Sequence, residues 1–328
     1  MSDDRKAFFW IAGFLVVAFF LYALSSIMTP FVAGLAVAYF FDPVADRLEK
    51  AGASRGLAAG LVILAFLGLA GIILVLLFPL LQAQVVGLVA RIPDLIELLR
   101  ERAAPIVELL QDKLSSGEMD ELKGAAESYA GKILSWLGGM LQNLWSGGMA
   151  FFNLLSLIVI TPLAAFYLLR DWDIIVARFD HLLPRQSANT FREQLSLIDD
   201  TIAAFVRGQA SVCLVLGIYY ATGLTLAGLD FGLLVGLGTG LLAFIPYVGA
   251  AIGLLTGAGI ALAQFSDWVP ILIVVAIFLT GQTAESYILT PKLVGERVGL
   301  HPIWVIFALL AGGALFGFTG VLLAVPVT

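Results

Sequence analysis

The polarity of the chain falls into three regimes. Apolar runs at residues 8–24, 31–41, 57–81, 149–169, 208–227, 269–289 and 302–328 carry almost no charge. Such runs predict helices that cross a bilayer, and their lack of period-2 alternation excludes a membrane β-barrel. Residues 82–146 differ in kind, because charges occur throughout. Apolar positions there, Ile92, Leu95 and Leu99, then Ile106, Leu109, Leu110 and Leu114, recur at the three- and four-residue spacing of amphipathic helices. Pro93 and Pro105 are expected to start or kink those helices, with a loop over 115–120. The stretch holds nine Asp or Glu against six Lys or Arg, so it is not a polybasic lipid-binding segment. It reads as an extramembrane helical insert.

The third regime is the apolar but glycine-punctuated stretch 230–259. Gly232, Gly236 and Gly240 recur every fourth residue, and after a break Gly249, Gly253 and Gly257 do the same. On a helix each set forms a stripe that lets another backbone come close. Pro246 lacks an N–H and disfavours helix at Ile245, which places the break there. Each arm has about 14 residues, or ~21 Å of helix, against a hydrocarbon thickness of ~30 Å. The expectation is a re-entrant or broken helical hairpin, its tip at Pro246 and Tyr247 buried in protein or lining a wet cavity. Asp230, after a Gly228-Leu229 turn, is placed to cap the first arm.

The pattern therefore predicts an all-α polytopic membrane protein of about seven to eight membrane segments, with the hairpin among them and the amphipathic insert outside the bilayer. Three regions follow: N-terminal membrane segments over 1–81, paired as a hairpin about a turn at 25–30 plus a third span; the insert over 82–146; and a membrane core over 147–328 that contains the hairpin at 230–263. Composition agrees, since 60% of the 328 residues are hydrophobic and 13% charged, with a mean hydropathy of +1.00. The net charge of −6 excludes a basic footprint for nucleic acid. Lys and Arg cluster at 46–56, 170–207 and 291–297, which by the positive-inside rule places these segments and the N-terminus in the cytoplasm. Parity then requires the hairpin to begin and end on the outer side. A single cysteine, Cys213, cannot form an intramolecular disulfide.

Four stretches carry a family likeness: TPLAAFYLLRDWD from 161, RGQASVCLVLGI from 207, GLDFGLLVGLGTGLLAFIPYVG from 228, and ESYILTPKLVGERVGLHPIWVIFALLAGGALFGFTGVLLAVPV from 285. In order and spacing they resemble the autoinducer-2 exporter (AI-2E) family of bacterial inner-membrane transporters over about residues 150–328. The resemblance implies a permease-like protein of the inner membrane and a homo-oligomer, a pentamer being one form. Some members of that family are linked to export of autoinducer-2 and others to exchange of sodium or lithium for protons. Members continue beyond the point matching Thr328, so a further tail is expected.

Enzymatic constellations are absent from the sequence. His181 and His301 lack the spacing of a zinc site, and no phosphate loop with Lys-Ser or Lys-Thr occurs, so neither metal nor cofactor is expected. The sharpest candidate is Glu285, an ionisable residue inside an apolar span. Gln282, Glu285 and Ser286 share nearly one helix face. They suit coupling-ion or proton binding, against the alternative of a structural or interfacial polar contact. Gln209 matches the Gly-Gln pair of the family and suits interhelical hydrogen bonding. Pro246 and Tyr247 at the tip are further candidates for solute or ion contact, against plain packing at a break, and Asp230 at the base is a weaker one, since capping explains it. The reading is a gradient-coupled transporter of a small polar solute or monovalent cation, embedded in the lipid bilayer. A non-transporting oligomeric scaffold and a passive channel are the alternatives.

Overall fold

A computed structural model of the chain describes residues 23–111, 124, 128, 148–182, 188–245, 248–294 and 302–328. Much of the first apolar run, most of the insert beyond residue 111, the tip residues Pro246 and Tyr247, and Arg297 lie outside them. The elements are α1 (Ser25–Lys50), α2 (Arg55–Gln111), α3 (Gly148–Leu182), α4 (Ala188–Leu226), α5 (Gly232–Leu242), α6 (Val248–Gln264), α7 (Trp268–Ala284), a π-helical stretch Glu285–Val294, and α8 (Pro302–Val327). No strand occurs among the described residues. The spans Ile27–Lys50, Arg55–Leu98, Ala188–Leu226 and Trp268–Val294 are long and apolar enough to cross a bilayer. With α5, α6 and Ile303–Gly317 as shorter apolar helices, this is an all-α multi-pass membrane protein.

Several helices run through positions where the sequence suggests a stop. Residues 25–30 are helix rather than a turn, and α1 continues through both Pro30 and Pro43. The helix of the third span does not stop near residue 81 but continues through Pro93 and Pro105 to Gln111. At ~1.5 Å per residue its 57 residues are about 86 Å long. A proline inside a helix removes one hydrogen bond and crowds a carbonyl. α1 absorbs that cost at Pro30 and Pro43, and α2 at Pro93 and Pro105, without breaking.

The chain divides into two compact units. The first comprises the described parts of Met1–Leu69, Leu154–Ala210 and Pro291–Thr328. Its core is built from small residues, Ala38, Ala45, Ala58, Ala59 and Val62, with Leu169. Gly34 of α1 meets Ala164 and the Thr161 carbonyl of α3, where a Cβ would lie 2.8 Å from the Ala164 methyl. The α1–α2 turn is fastened by Arg55, whose guanidinium bonds the Leu169 carbonyl (3.0 Å), Asp42 (2.7 Å), Glu49 (3.2 Å) and Asp46. The three carboxylates fall at i, i+4 and i+7 of α1 and so face one way. Tyr39 donates to Asp199 of α4 at 2.5 Å, and Thr29 shares a 2.7 Å hydroxyl contact with Thr319 of α8. α8 is bent at Gly317 (φ 60°, ψ −141°), and its halves return on each other so closely that Gly312 and Gly320 meet backbone to backbone.

The second unit comprises the described parts of Ala70–Asn153 and Ser211–Thr290. It holds the hairpin α5–α6, which packs arm against arm, and α7, which packs on α6. Large apolar side chains such as Val75, Leu76, Leu241, Leu255 and Leu272 are exposed. A soluble surface would not present them in such number. Facing lipid tails, they need no further cover.

Candidate functional site

The hairpin is where the glycine periodicity becomes geometry. α5 has 11 residues and α6 has 17, or about 16 and 26 Å of helix, so neither arm alone spans ~30 Å of hydrocarbon. The first stripe is spent on α4. Gly232 lies against Leu224 and Thr225, Gly236 against Tyr220 and Ala221, and Gly240 against Gly217, all at backbone contact. The second stripe turns elsewhere: Gly249 meets Leu242 and Ala243 of the opposite arm, Gly253 meets Thr239 and Phe278, and Gly257 meets the Phe278 ring of α7. The Gly249 and Gly253 contacts bring the arms back antiparallel, as a hairpin rather than one bent helix.

Its base is closed by side chains from outside the glycine pattern. α4 ends in a Schellman motif: Gly228 (φ 75°) donates to the Thr225 carbonyl and Leu229 to that of Leu224. Gln264, the last residue of α6, then reaches across to this turn. Its Nε2 donates to the Gly228 carbonyl (2.8 Å) and its Oε1 accepts from the Asp230 N–H (2.7 Å), so the start and finish of the hairpin are held together. Asp230 does not cap α5 as expected. Phe231, in left-handed backbone (φ 61°), occupies the N-cap position without a side-chain cap bond. The N–H of Leu234 is instead taken by Gln84 Oε1 at 2.9 Å, and Asp230 pairs with Arg91 at 2.5 Å. Arg102 adds a bond to the Phe265 carbonyl (2.6 Å). Gln84, Gly87 and Arg91 recur at three and four residues, so one face of α2 lies along the hairpin base. Together with Ala83, Asp230 and Phe231 they line a cleft of about 280 Å³.

The buried face of α7 carries the titratable candidate. Val274, Phe278 and Gly281 are buried at four- and three-residue spacing, and Glu285, four residues on, continues the row. Glu285 is 8% exposed, with no hydrogen bond or ion pair to its carboxylate among the described residues. The helix widens there from α to π, a change frequent at functional sites. Pro291 lies within the π stretch, whose wider turn relieves the crowding of its ring. The widening splits the expected polar trio. Ser286 is exposed and accepts from Gln282 Nε2 at 3.2 Å, while Glu285 turns inward. Opposite Glu285 stands α4. Tyr220 is wholly buried, its ring stacks on Phe278 with centroids 5.1 Å apart, and its phenol presses on Gly281. Both Tyr220 and Cys213 lie within electrostatic reach of Glu285. Next to Tyr220, the Tyr219 hydroxyl meets Thr280 Oγ1 at 2.5 Å and pins the two helices.

The structure thus gathers Glu285 with Tyr220 and with the second glycine stripe through Phe278, and leaves Asp230 at the base beside Arg91. Gln209 belongs to the first unit, where it is buried, and its neighbour Gly208 lies against the backbone of Leu293 and Val294. Sequence reasoning passed over Tyr220, Gln264, Gln84 and Arg91. Gln84 carried a faint signal as a polar residue just past a long apolar run. Tyr220 carried none, because tyrosine in an apolar helix is ordinary.

Comparison with known proteins bears on this arrangement over nearly its whole length. The profile described as AI-2E family transporter matches residues 8–328. YueF of Bacillus subtilis, a transport protein by name, is 29% identical over 344 aligned residues covering 98% of this chain and 90% of its own. PerM of Escherichia coli, a permease by name, is 26% identical over 319 residues covering 96% of this chain and 87% of its own. The quoted motifs, the short-armed hairpin and the end-to-end match agree, and the chain belongs to the AI-2E transporter family of multi-pass membrane proteins.

Proposed function

We propose that this protein is a secondary transporter of the bacterial inner membrane that moves a small polar solute or a monovalent cation, coupled to an ion gradient through Glu285. The observation that carries this reading is a carboxylate buried in a membrane span with no partner among the described residues. Placing an ionisable group there costs at least a few kcal/mol, which favours retention for a ligand or proton that it meets during turnover. Sodium or lithium exchange for protons fits a single titratable carboxylate. Export of a hydrophilic signal such as autoinducer-2 would add hydrogen-bonding demands that the polar cleft at the hairpin base is suited to meet. In this reading the N-terminus is cytoplasmic, the hairpin base faces outward, and the chain works as a homo-oligomer.

The rival scaffold reading holds its oligomer by the glycine stripes and by the insert over 82–146, and the stripes are the part the contacts bear on. Each stripe is instead occupied within the chain, by α4, by the opposite arm and by Phe278. The test is proton flux in proteoliposomes of wild type and Glu285→Gln under imposed sodium, potassium and lithium gradients. Cation-dependent proton movement lost in the variant is the expected result. Cation flux without proton movement in both proteins would identify a channel. No movement of either kind, together with no uptake of labelled autoinducer-2, would leave the scaffold.

A further inference from the structure

The Tyr220 hydroxyl is buried and has no hydrogen-bond partner among the described residues. It does not lie in an apolar void of its own. It sits on Gly281, where even a methyl group would collide with the phenol, and Gly281 is four residues, one helical turn, from Glu285 on the same buried face. An unpaired phenol and an unpaired carboxylate therefore share one packed face between α4 and the α7–π junction. Each is costly alone. Burying both together without a partner is hard to account for by packing, since phenylalanine would keep the stack on Phe278 and glutamine would keep the shape of Glu285 without its charge.

We propose that Tyr220 and Glu285 together form a binding site for one small monovalent cation, with the carboxylate supplying the charge and the phenol oxygen a neutral ligand. The proposal rests on the reading of Glu285 as the coupling carboxylate and adds a residue and a charge type to it. One carboxylate balances one positive charge. A divalent ion would call for more acidic ligands, and no group of three metal-ligating side chains occurs among the described residues. Gly281 is the position that makes the site possible, because only the absence of a side chain lets the phenol approach the helix there.

Cys213, the only cysteine, lies seven residues before Tyr220 on the same face of α4 and serves as a built-in reporter. The experiment uses the purified full chain in detergent. It follows N-ethylmaleimide labelling of Cys213 and the melting temperature as sodium, lithium or potassium chloride replaces choline chloride at constant ionic strength. Wild type should show saturable protection from labelling and a raised melting temperature with at least one cation. Glu285→Gln should abolish both effects, and Tyr220→Phe, which keeps the ring, should raise the half-maximal concentration about tenfold or more. If Tyr220→Phe titrates like wild type while Glu285→Gln does not respond, Tyr220 is a packing residue and the two-ligand site is wrong, with the coupling role of Glu285 intact. If wild type responds to none of the cations in either readout, the site is overturned, and the flux measurement above then decides separately whether the transport reading survives.

Discussion

Gly236 and Gly238 are two residues apart on α5 and behave as different kinds of residue. A Cβ on Gly236 would run into the backbone of Tyr220 and Ala221, whereas nothing lies within 4 Å of one on Gly238. Glycine in a helix interior is ordinarily less favourable than alanine by roughly 0.5–1 kcal/mol. Gly238→Ala should therefore leave thermal stability unchanged or slightly raised. Gly236→Ala should lower it by about 1–3 kcal/mol through overpacking, and Gly236→Leu should prevent assembly of the fold. Melting of the three variants in detergent checks the contrast, and equal effects at 236 and 238 would show that α5 is not packed on α4 as described. In choline chloride, Tyr220→Phe removes a buried hydroxyl that has no partner among the described residues, and the expected change is neutral or stabilising by up to ~1 kcal/mol. A marked loss of stability would mean that the hydroxyl has a structural bond after all.

Helix ends and the contacts that tie them set the next level. Gln264 makes two hydrogen bonds to one turn and so closes the hairpin base. Gln264→Leu should cost about 1–3 kcal/mol and speed hydrogen exchange at Gly228 to Phe231, leaving exchange in the middle of α4 unchanged. Arg91→Ala should cost less than ~1 kcal/mol, because both partners of its pair with Asp230 are well exposed. A second tie of that class joins α3 and α4, where Arg192 bonds Asp180 through Nε and Nη2 at 2.5 and 2.8 Å. Those hydrogen bonds hold the Asp180 carboxyl below its ordinary value. Its stabilising contribution is therefore complete above the unfolded carboxylate value of ~4 and is lost as pH falls through the lower folded one. Asp180→Asn should differ from wild type in stability at pH 7 and converge with it in strong acid. High salt should narrow the difference, as screening weakens exposed charges.

Across the whole molecule the consequence to test is sidedness. A hairpin whose start and finish are clamped to each other has both on one side of the membrane. Ala227→Cys and Ser266→Cys, each in a Cys213→Ser background, should react with an impermeant thiol reagent from the same side of oriented vesicles. Labelling from opposite sides would mean that residues 228–265 cross the bilayer fully.

What could be read from the chain alone was what depends on neighbours in sequence. The length and polarity of the apolar runs determined an all-α membrane protein, because a bilayer demands backbone bonds satisfied within each segment. The spacing of Gly232, Gly236, Gly240, Gly249, Gly253 and Gly257 around Pro246 determined a short-armed hairpin, whereas the setting of Glu285 left open whether it is buried or reaches the interface. Other features rest on partners far apart in sequence, and only the tertiary structure decided them. Pro43, Pro93 and Pro105 do not end their helices, although each removes a hydrogen bond locally. Gln84, some 150 residues away, supplies the acceptor at the start of α5 that the local sequence assigns to Asp230. Gly281 looks like any glycine in an apolar span until α4 brings Tyr220 onto it, and a pattern along one helix holds no information about which side chain another helix will press against its face.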